Sequence, residues 1–178
     1  MVGNKLYTPL SNIDLPIPLD RAYNPREKLI DIIGKPIWMP NGVGTSVKEA
    51  TETLIPDIKY VGRISGEYHF VIFDAKYYNI QLEEDKQLRS YPGVGDVTKQ
   101  YLYQLAFKDF FEKHNINFLN NFFLMPTEKT GYIYKGKVKL EMLKNLGLQD
   151  IEVWQLSATE MYSNFLSHRI IDMHLLNL

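Results

Sequence analysis

Two neighbouring stretches of the chain, residues 53–61 and 69–78, are rich in β-branched and aromatic residues, as β-strands are. Gly62 and Ser65-Gly66 lie between them and supply the residues that tight turns favour. The pattern therefore predicts a β-hairpin.

The following part of the chain predicts a helix, then strands, then a closing helix. Residues 97–113 form a largely apolar helical segment, for which Asp96 is the candidate N-cap. Residues 121–125 and 151–156 are typical of buried strands, and residues 158–171 of a helix capped by Ser157 or Thr159. These elements predict an α/β fold in which a mixed β-sheet is flanked by helices.

The first part of the chain has a different character, because six of the nine prolines lie within the first forty residues. We expect residues 1–40 to form an extended arm with a short helix at residues 25–33. The core is expected to cover residues 36–178, with residues 36–39 as its first strand.

Composition places the chain among ordinary globular proteins. A length of 178 residues and a hydrophobic content of 45% fit one domain with a genuine core. There is no cysteine, so disulfides and thiol catalysis are excluded. No apolar run is long enough to cross a bilayer and no secretory signal is evident, so a cytoplasmic location is the expectation.

The net charge of −1 weakens any prediction of DNA binding, since nonspecific affinity for DNA comes chiefly from lysine and arginine. Two local groups of basic residues could compensate. Lys135, Lys137 and Lys139 would share one face of an extended segment, and Lys59 and Arg63 follow Asp57 along the chain. A lysine-protected edge strand explains the first group equally well. Another domain or subunit could also supply the affinity.

Charged side chains lie near the ends of the predicted hairpin strands, at Pro56-Asp57 and at Asp74-Ala75-Lys76. Antiparallel pairing would bring Asp57 and Asp74 together, and Lys76 would share the face of Asp74. Two carboxylates, the carbonyl of Ala75 and water suit Mg²⁺, with Mn²⁺ as a substitute. Beside two carboxylates Lys76 should stay protonated, which favours an electrostatic role over that of a general base. Asp-x-Lys alone is a weak signal, because acidic and basic residues flank strand ends in many proteins that are not nucleases.

The order Pro56-Asp57 followed by Asp74-x-Lys76 resembles the PD-(D/E)xK nuclease superfamily. The surrounding segments resemble the LlaJI family of restriction endonucleases, relatives of the McrC nuclease subunit. These segments are residues 54–60, 70–80, 91–110 and 121–128. The resemblance implies a restriction-endonuclease-like fold and Mg²⁺-dependent cleavage of double-stranded DNA, with Asp57 and Asp74 as metal ligands and Lys76 as the catalytic lysine.

In related nucleases a glutamine on the helix after the lysine-bearing strand completes the active site. The resemblance therefore makes Gln100 and Gln104 further candidates, although polar residues at a helix surface explain them equally well. It also implies a GTP-driven AAA+ motor subunit or a separate DNA-recognition domain as a partner, and it leaves a homodimer open. A non-catalytic DNA-binding or assembly module with a nuclease fold is the alternative function. A metal-dependent phosphoesterase acting on RNA or small substrates is a third.

Overall fold

A mixed β-sheet of five strands lies at the centre of the protein. The computed structural model describes residues 7–19, 24, 26–41, 47–167, 173–176 and 178. Its helices are α1 (Val94–Lys113) and α2 (Ala158–Leu166). Its strands are β1 (Ile37–Trp38), β2 (Lys48–Glu49), β3 (Ile58–Ile64), β4 (Glu67–Ala75), β5 (Phe118–Thr127), β6 (Tyr132–Val138) and β7 (Ile151–Ser157).

The strand order in the central sheet is β3-β4-β5-β7-β6. Strands β4, β5 and β7 are parallel, and the two edge strands β3 and β6 are antiparallel to their neighbours. Helix α1 connects the parallel strands β4 and β5, as a crossover helix must. The predicted mixed α/β sheet flanked by helices, typical of a restriction-endonuclease-like fold, is confirmed.

The predicted hairpin is formed by β3 and β4, and its tight turn fixes the strand register. Ser65 (φ 52°) and Gly66 (φ 92°) both have left-handed backbone conformations, as two-residue hairpin turns require. Ile64 consequently pairs with Glu67, and at the other end of the hairpin Ile58 pairs with Phe73. The strands themselves are shorter than predicted, because pairing begins at Ile58 and ends at Ala75.

One face of the sheet packs against α1 through a large apolar cluster. Val61, Phe70 and Ile72 of the hairpin contact Phe107 and neighbouring aromatic residues of the helix. Apolar residues of the N-terminal segment complete this cluster, among them Leu10, Ile13, Leu15, Leu29 and Ile33. The opposite face buries Val71, Phe73, Phe122, Trp154 and Leu156. No helix in the described ranges is long and apolar enough to cross a membrane.

Some predicted element boundaries are wrong. The first core strand expected at residues 36–39 is instead β1, which pairs with β2 in a separate two-stranded sheet and leaves Trp38 68% exposed. The short helix expected near residue 30 is a 3₁₀ turn, Leu29–Ile32. Helix α1 starts at Val94 with Gly93 as its N-cap, so Asp96 is not the cap.

Helix α2 has the predicted Ser157 cap, whose side chain accepts a hydrogen bond from the Glu160 amide. It ends at Leu166, and part of the longer helix that we predicted lies outside the described residues.

Candidate active site

The hairpin register brings Asp57 and Asp74 to the same end of β3 and β4. Asp57 comes directly before Ile58, which pairs with Phe73, so the two aspartates lie next to each other across the strands. A carboxylate oxygen of Asp57 accepts a hydrogen bond of 2.9 Å from the backbone amide of Ala75. Asp74 follows Phe70 and Ile72 by two-residue steps and therefore shares their face of the sheet, which is covered by α1.

Lys76 joins the two aspartates and brings a third carboxylate into the cluster. Its ammonium nitrogen lies 2.8 Å from Oδ2 of Asp74 and 3.0 Å from Oδ1 of Asp96, in the first turn of α1. The side chains are largely shielded, with exposed fractions of 18% for Lys76, 6% for Asp74 and 27% for Asp96. Asp57, Asp74, Lys76 and Asp96 together form a carboxylate–lysine cluster.

Asp96 is the residue of this cluster that sequence reasoning assigned to a different role. It was predicted as a helix cap, and the structure places it in an ion pair with Lys76. Its position in the first turn of the helix after the lysine-bearing strand was visible in the sequence. The orientation of that helix across the strand ends was not, because it depends on tertiary packing.

Burial and neighbouring charges shift the proton affinities of the cluster in opposite directions. Burial raises the pKa of Asp74 to about 6, the hydrogen bond with Lys76 opposes this shift, and contact with the Asp57 carboxyl reinforces it. Partial burial alone would lower the pKa of Lys76, but its hydrogen bonds to Asp74 and Asp96 outweigh burial and hold the pKa well above its ordinary value. Lys76 is therefore an ammonium ion throughout the neutral range, as predicted.

Asp74→Asn is expected to stabilise the metal-free protein at pH 7. The pKa of Asp74 is about 6 in the folded chain and about 4 in the unfolded chain, so the folded state binds the extra proton between these values. The free energy of unfolding of the wild type therefore falls as the pH rises from 4 to 6. Above pH 6 it stays lower by the full cost of ionising the buried Asp74 carboxyl. We expect a gain of about 1–2 kcal/mol at pH 7 that disappears below about pH 4. Urea unfolding of the wild type and the variant in EDTA, at pH 7 and below about pH 4, measures this gain in stability. An equal gain under both conditions would show that it does not come from the ionisation of Asp74.

Tyr103 is a buried residue of α1 that lies near the cluster. The hydroxyl of Tyr103 donates a hydrogen bond of 3.2 Å to the carbonyl of Ile55, which tethers the segment leading to Asp57. Burial, with the negative charges of Asp74 and Asp57, raises the pKa of Tyr103 to about 12. This side chain is therefore a neutral hydrogen-bond donor near the carboxylates.

Lys59 lies on β3 two residues beyond Asp57 and is fully buried. Its amine nitrogen has no hydrogen-bond partner and lies 3.4 Å from the ring centroid of Phe107. Burial lowers the pKa of Lys59 to about 6. The prediction that Lys59 belongs to a basic DNA-contacting group is wrong, because a buried side chain cannot reach a phosphate at the surface.

The remaining basic candidates are largely engaged by acidic neighbours. Lys137 lies 3.3 Å from Glu152, Lys139 lies 3.7 Å from Asp150, and Arg63 lies 3.6 Å from Asp14. A register shift in β6 between Tyr134 and Gly136 also breaks the alternation on which a common face for all three lysines depended. These groups therefore add little net positive charge.

The two glutamine candidates lie on α1 and are both fully buried. The amide of Gln104 donates to the carbonyl of Gln149 at 2.9 Å and accepts from its backbone amide at 2.8 Å. Gln100 donates to Oδ1 of Asn121 at 2.5 Å and to the carbonyl of Phe122 at 3.3 Å. These hydrogen bonds connect α1 to β5 and to the segment before β7. A part for either glutamine in the reaction stays a prediction.

The donor set of the cluster suits a cation that needs few protein ligands. Among the residues that the structure describes, no three histidine, cysteine or acidic side chains come together as a complete metal-binding group. Asp57 and Asp74 provide two neighbouring carboxylates, and burial, reinforced by the Asp57 carboxyl, raises the pKa of Asp74. Mg²⁺ commonly binds one or two carboxylates and keeps several waters, so the pair is sufficient for it. A part for the Ala75 carbonyl stays a prediction.

Comparison with known proteins gives two matches. The family model of the LlaJI restriction endonuclease matches residues 23–160. The Type II restriction enzyme BsuMI component YdjA of Bacillus subtilis (strain 168) is 32% identical over 142 residues, which cover 77% of this chain and 28% of that relative. The chain therefore spans less than a third of the length of this curated relative. No solved structure gives a significant match.

Proposed function

Since the chain belongs to the LlaJI restriction endonuclease family, we propose that it is the nuclease domain or subunit of a restriction system and hydrolyses phosphodiester bonds of double-stranded DNA with the help of a divalent cation. The observation that carries this proposal is the meeting of Asp57, Asp74 and Lys76 at one end of the hairpin. The reaction needs a cation site and a fixed positive group beside the scissile phosphate, and under this proposal the two aspartates would form the first and Lys76 would be the second.

Asp57 and Asp74 would hold the cation, with the Ala75 carbonyl and water completing its shell. Mg²⁺ is the proposed ion, with Mn²⁺ as a substitute, because both accept oxygen ligands. When bound, such an ion supplies Lewis-acid stabilisation of the phosphate and activation of water. The position of the two carboxylates next to each other at the end of the hairpin supports this assignment.

Lys76 would stabilise the negative charge that builds up on the phosphate during hydrolysis. An ammonium ion with a raised pKa cannot accept a proton near neutral pH, so it acts as a fixed positive charge and hydrogen-bond donor. Its 18% exposure keeps it accessible from the surface while most of the stem is shielded. Electrostatic stabilisation is strongest in such a partly dry site.

Recognition of DNA would need more than the described cluster. The net charge of −1 and the ion pairs of Lys137 and Lys139 leave few free cations for phosphate contacts among the described residues. Since the match covers only 28% of the curated relative, we propose that a further domain, a GTP-driven motor subunit or a second copy of the chain supplies the missing contacts.

The test is cleavage of supercoiled plasmid by the purified chain with Mg²⁺ or Mn²⁺, and with EDTA. We expect linear or nicked DNA only with the ion, and no product from Asp74→Asn. Asp150→Asn is a matched control, because it also removes an ion-paired carboxylate, directly before β7. Equal cleavage by Asp74→Asn would exclude the mechanism. Single-stranded DNA and RNA, tested in parallel, separate a DNA endonuclease from the broader class of phosphoesterases.

A second candidate function is a non-catalytic assembly module with a nuclease fold, favoured by the pairing of Lys137 and Lys139 with acidic residues. Such a module has no need for a cation at Asp57 and Asp74. Absence of both cleavage and divalent-ion binding in the purified chain, also when a motor or recognition partner is added, would favour it.

A further inference from the structure

Asp96 is set apart from the other members of the cluster by the element that carries it. Asp57, Asp74 and Lys76 come from the hairpin, whereas Asp96 comes from the first turn of α1, about twenty residues further along the chain. Oδ1 of Asp96 is 3.0 Å from the ammonium nitrogen of Lys76, nearly as close as Oδ2 of Asp74 at 2.8 Å. Lys76 therefore bridges two carboxylates that lie on different structural elements.

We propose that Asp96 is the positioning residue for Lys76 and holds its ammonium group in the site when Asp74 engages a divalent cation. The proposal rests on the proposed function, since it assumes that Asp57 and Asp74 bind a cation and that Lys76 acts on the phosphate. It assigns Asp96 a role through Lys76 and no direct contact with the reacting atoms.

The first support is that Lys76 and a bound cation would compete for the same carboxylate oxygens of Asp74. Oδ2 of this carboxylate accepts the hydrogen bond from Lys76, and the same carboxyl contacts Asp57. A cation held between the two aspartates would compete with the ammonium group for these oxygens and would repel it, because both are positive. Without another partner, the flexible lysine stem would let the ammonium group turn away. Asp96 supplies that partner.

The second support is the position of the Asp96 carboxylate relative to the other acids. Among the described residues it does not form a metal-binding group with Asp57 and Asp74, so it stays available to Lys76. Charge balance agrees with this division. Three carboxylates and one ammonium ion sum to a charge of −2, which one divalent cation neutralises.

The third support is the rigidity of the anchor. Asp96 is the third residue of a helix of twenty residues, and the next residue, Val97, is buried in the core. The backbone amide of Asp96 donates to the carbonyl of Gly93 at 3.0 Å. A carboxylate is also favoured in the first turn of a helix, where the backbone amides point toward it. The Asp96 carboxylate is therefore held by a helix that is anchored in the core, independently of β4.

The experiment compares Asp96→Asn with Asp96→Glu and with the control Asp150→Asn. Single-turnover cleavage of plasmid DNA with Mn²⁺ should fall about tenfold to hundredfold in Asp96→Asn, the usual effect of losing a residue that orients a functional group. Asp96→Glu should recover part of the rate, since it restores the charge. Asp150→Asn should cleave at the wild-type rate.

Two measurements are independent of cleavage. Calorimetric Mn²⁺ affinity should fall by less than about tenfold in Asp96→Asn, which loses only a through-space charge, whereas Asp74→Asn should lose binding. In crystals of the wild type soaked with Ca²⁺, the Lys76 ammonium should lie on Asp96 while Asp74 contacts the ion.

The inference is overturned if Asp96→Asn cleaves at the wild-type rate, if Asp96 itself contacts the Ca²⁺ ion, or if the Asn variant loses Mn²⁺ binding as Asp74→Asn does. These outcomes leave the proposed function standing. A wild-type chain that neither binds Mn²⁺ nor cleaves DNA, alone or with its partner, removes the proposed function and the inference together.

Discussion

Lys76→Met is expected to lower the single-turnover rate of DNA cleavage about a hundredfold to a thousandfold, the usual effect of removing one preorganised group that stabilises transition-state charge. Methionine retains the length and much of the apolar stem of lysine but has no charge and no donor. Both hydrogen bonds of the ammonium group, to Asp74 and to Asp96, disappear with it. The rate is measured with saturating plasmid and Mn²⁺, so that altered ion affinity does not enter.

Lys99→Met is the matched control, because Lys99 is an exposed residue of the same helix turn that carries Asp96. It removes a positive charge close to the cluster without touching it. We expect a rate within about threefold of wild type for this variant at moderate salt, where exposed charges are largely screened. Equal losses in both variants would show that general positive charge, and not the position of Lys76, supports cleavage.

Lys59→Met is expected to raise the free energy of unfolding by about 2–4 kcal/mol at pH 7. A buried amine whose pKa falls to about 6 is neutral in the folded protein at pH 7, whereas the unfolded chain carries it charged. Folding therefore includes the cost of deprotonation. The contact of the amine with the Phe107 ring does not offset this cost, because even a desolvated cation–π contact contributes only about 2 kcal/mol. Methionine fits the same elongated space and packs well against aromatic rings.

The gain from Lys59→Met should depend on pH in a defined direction. Between the folded pKa of about 6 and the unfolded pKa of about 10.5, the unfolded state binds more protons, so wild-type stability rises with pH. The advantage of the methionine variant is therefore largest at pH 6 and shrinks toward pH 10.

Urea unfolding of both proteins at pH 6, 7.5 and 9 measures this trend. Lys108→Met, at a site whose side chain is 48% exposed, is the control and should change stability by less than about 0.5 kcal/mol. A loss of stability in Lys59→Met would show that the amine makes a contact stronger than its desolvation.

The meeting of Asp57, Asp74 and Lys76 was predictable because it depends on local rules. A two-residue turn at Ser65-Gly66 fixes the register of the hairpin, and the two-residue period of a strand then places Lys76 on the face of Asp74. The buried strands β5 and β7 were predictable for a similar reason, since their apolar runs are short and bounded.

Features that depend on packing between distant elements were not predictable. Whether Asp96 caps α1 or meets Lys76 is decided by how the helix crosses the ends of the strands. A lysine such as Lys59 is expected at the surface, but this one is buried because its position on the strand faces Phe107. Trp38 suggests a core strand, but its strand pairs with β2, which consists of the charged residues Lys48 and Glu49.

For the two glutamines, the sequence predicts the helix face but not the hydrogen-bond partners. The sequence places Gln100 and Gln104 on one face of a helix, and that is where they lie. It does not reveal that Gln104 is bonded in both directions to the backbone of Gln149, forty-five residues away. Buried amides that connect elements and amides that face a substrate have the same spacing in a sequence.

Calorimetric titration of Mn²⁺ into the purified chain decides whether Asp57 and Asp74 form a metal site. We predict one ion bound per wild-type chain and no measurable binding to the Asp57→Asn, Asp74→Asn double variant, with circular dichroism showing that the variant is folded. Binding of equal strength to the double variant, or none to the wild type, would contradict the proposed site.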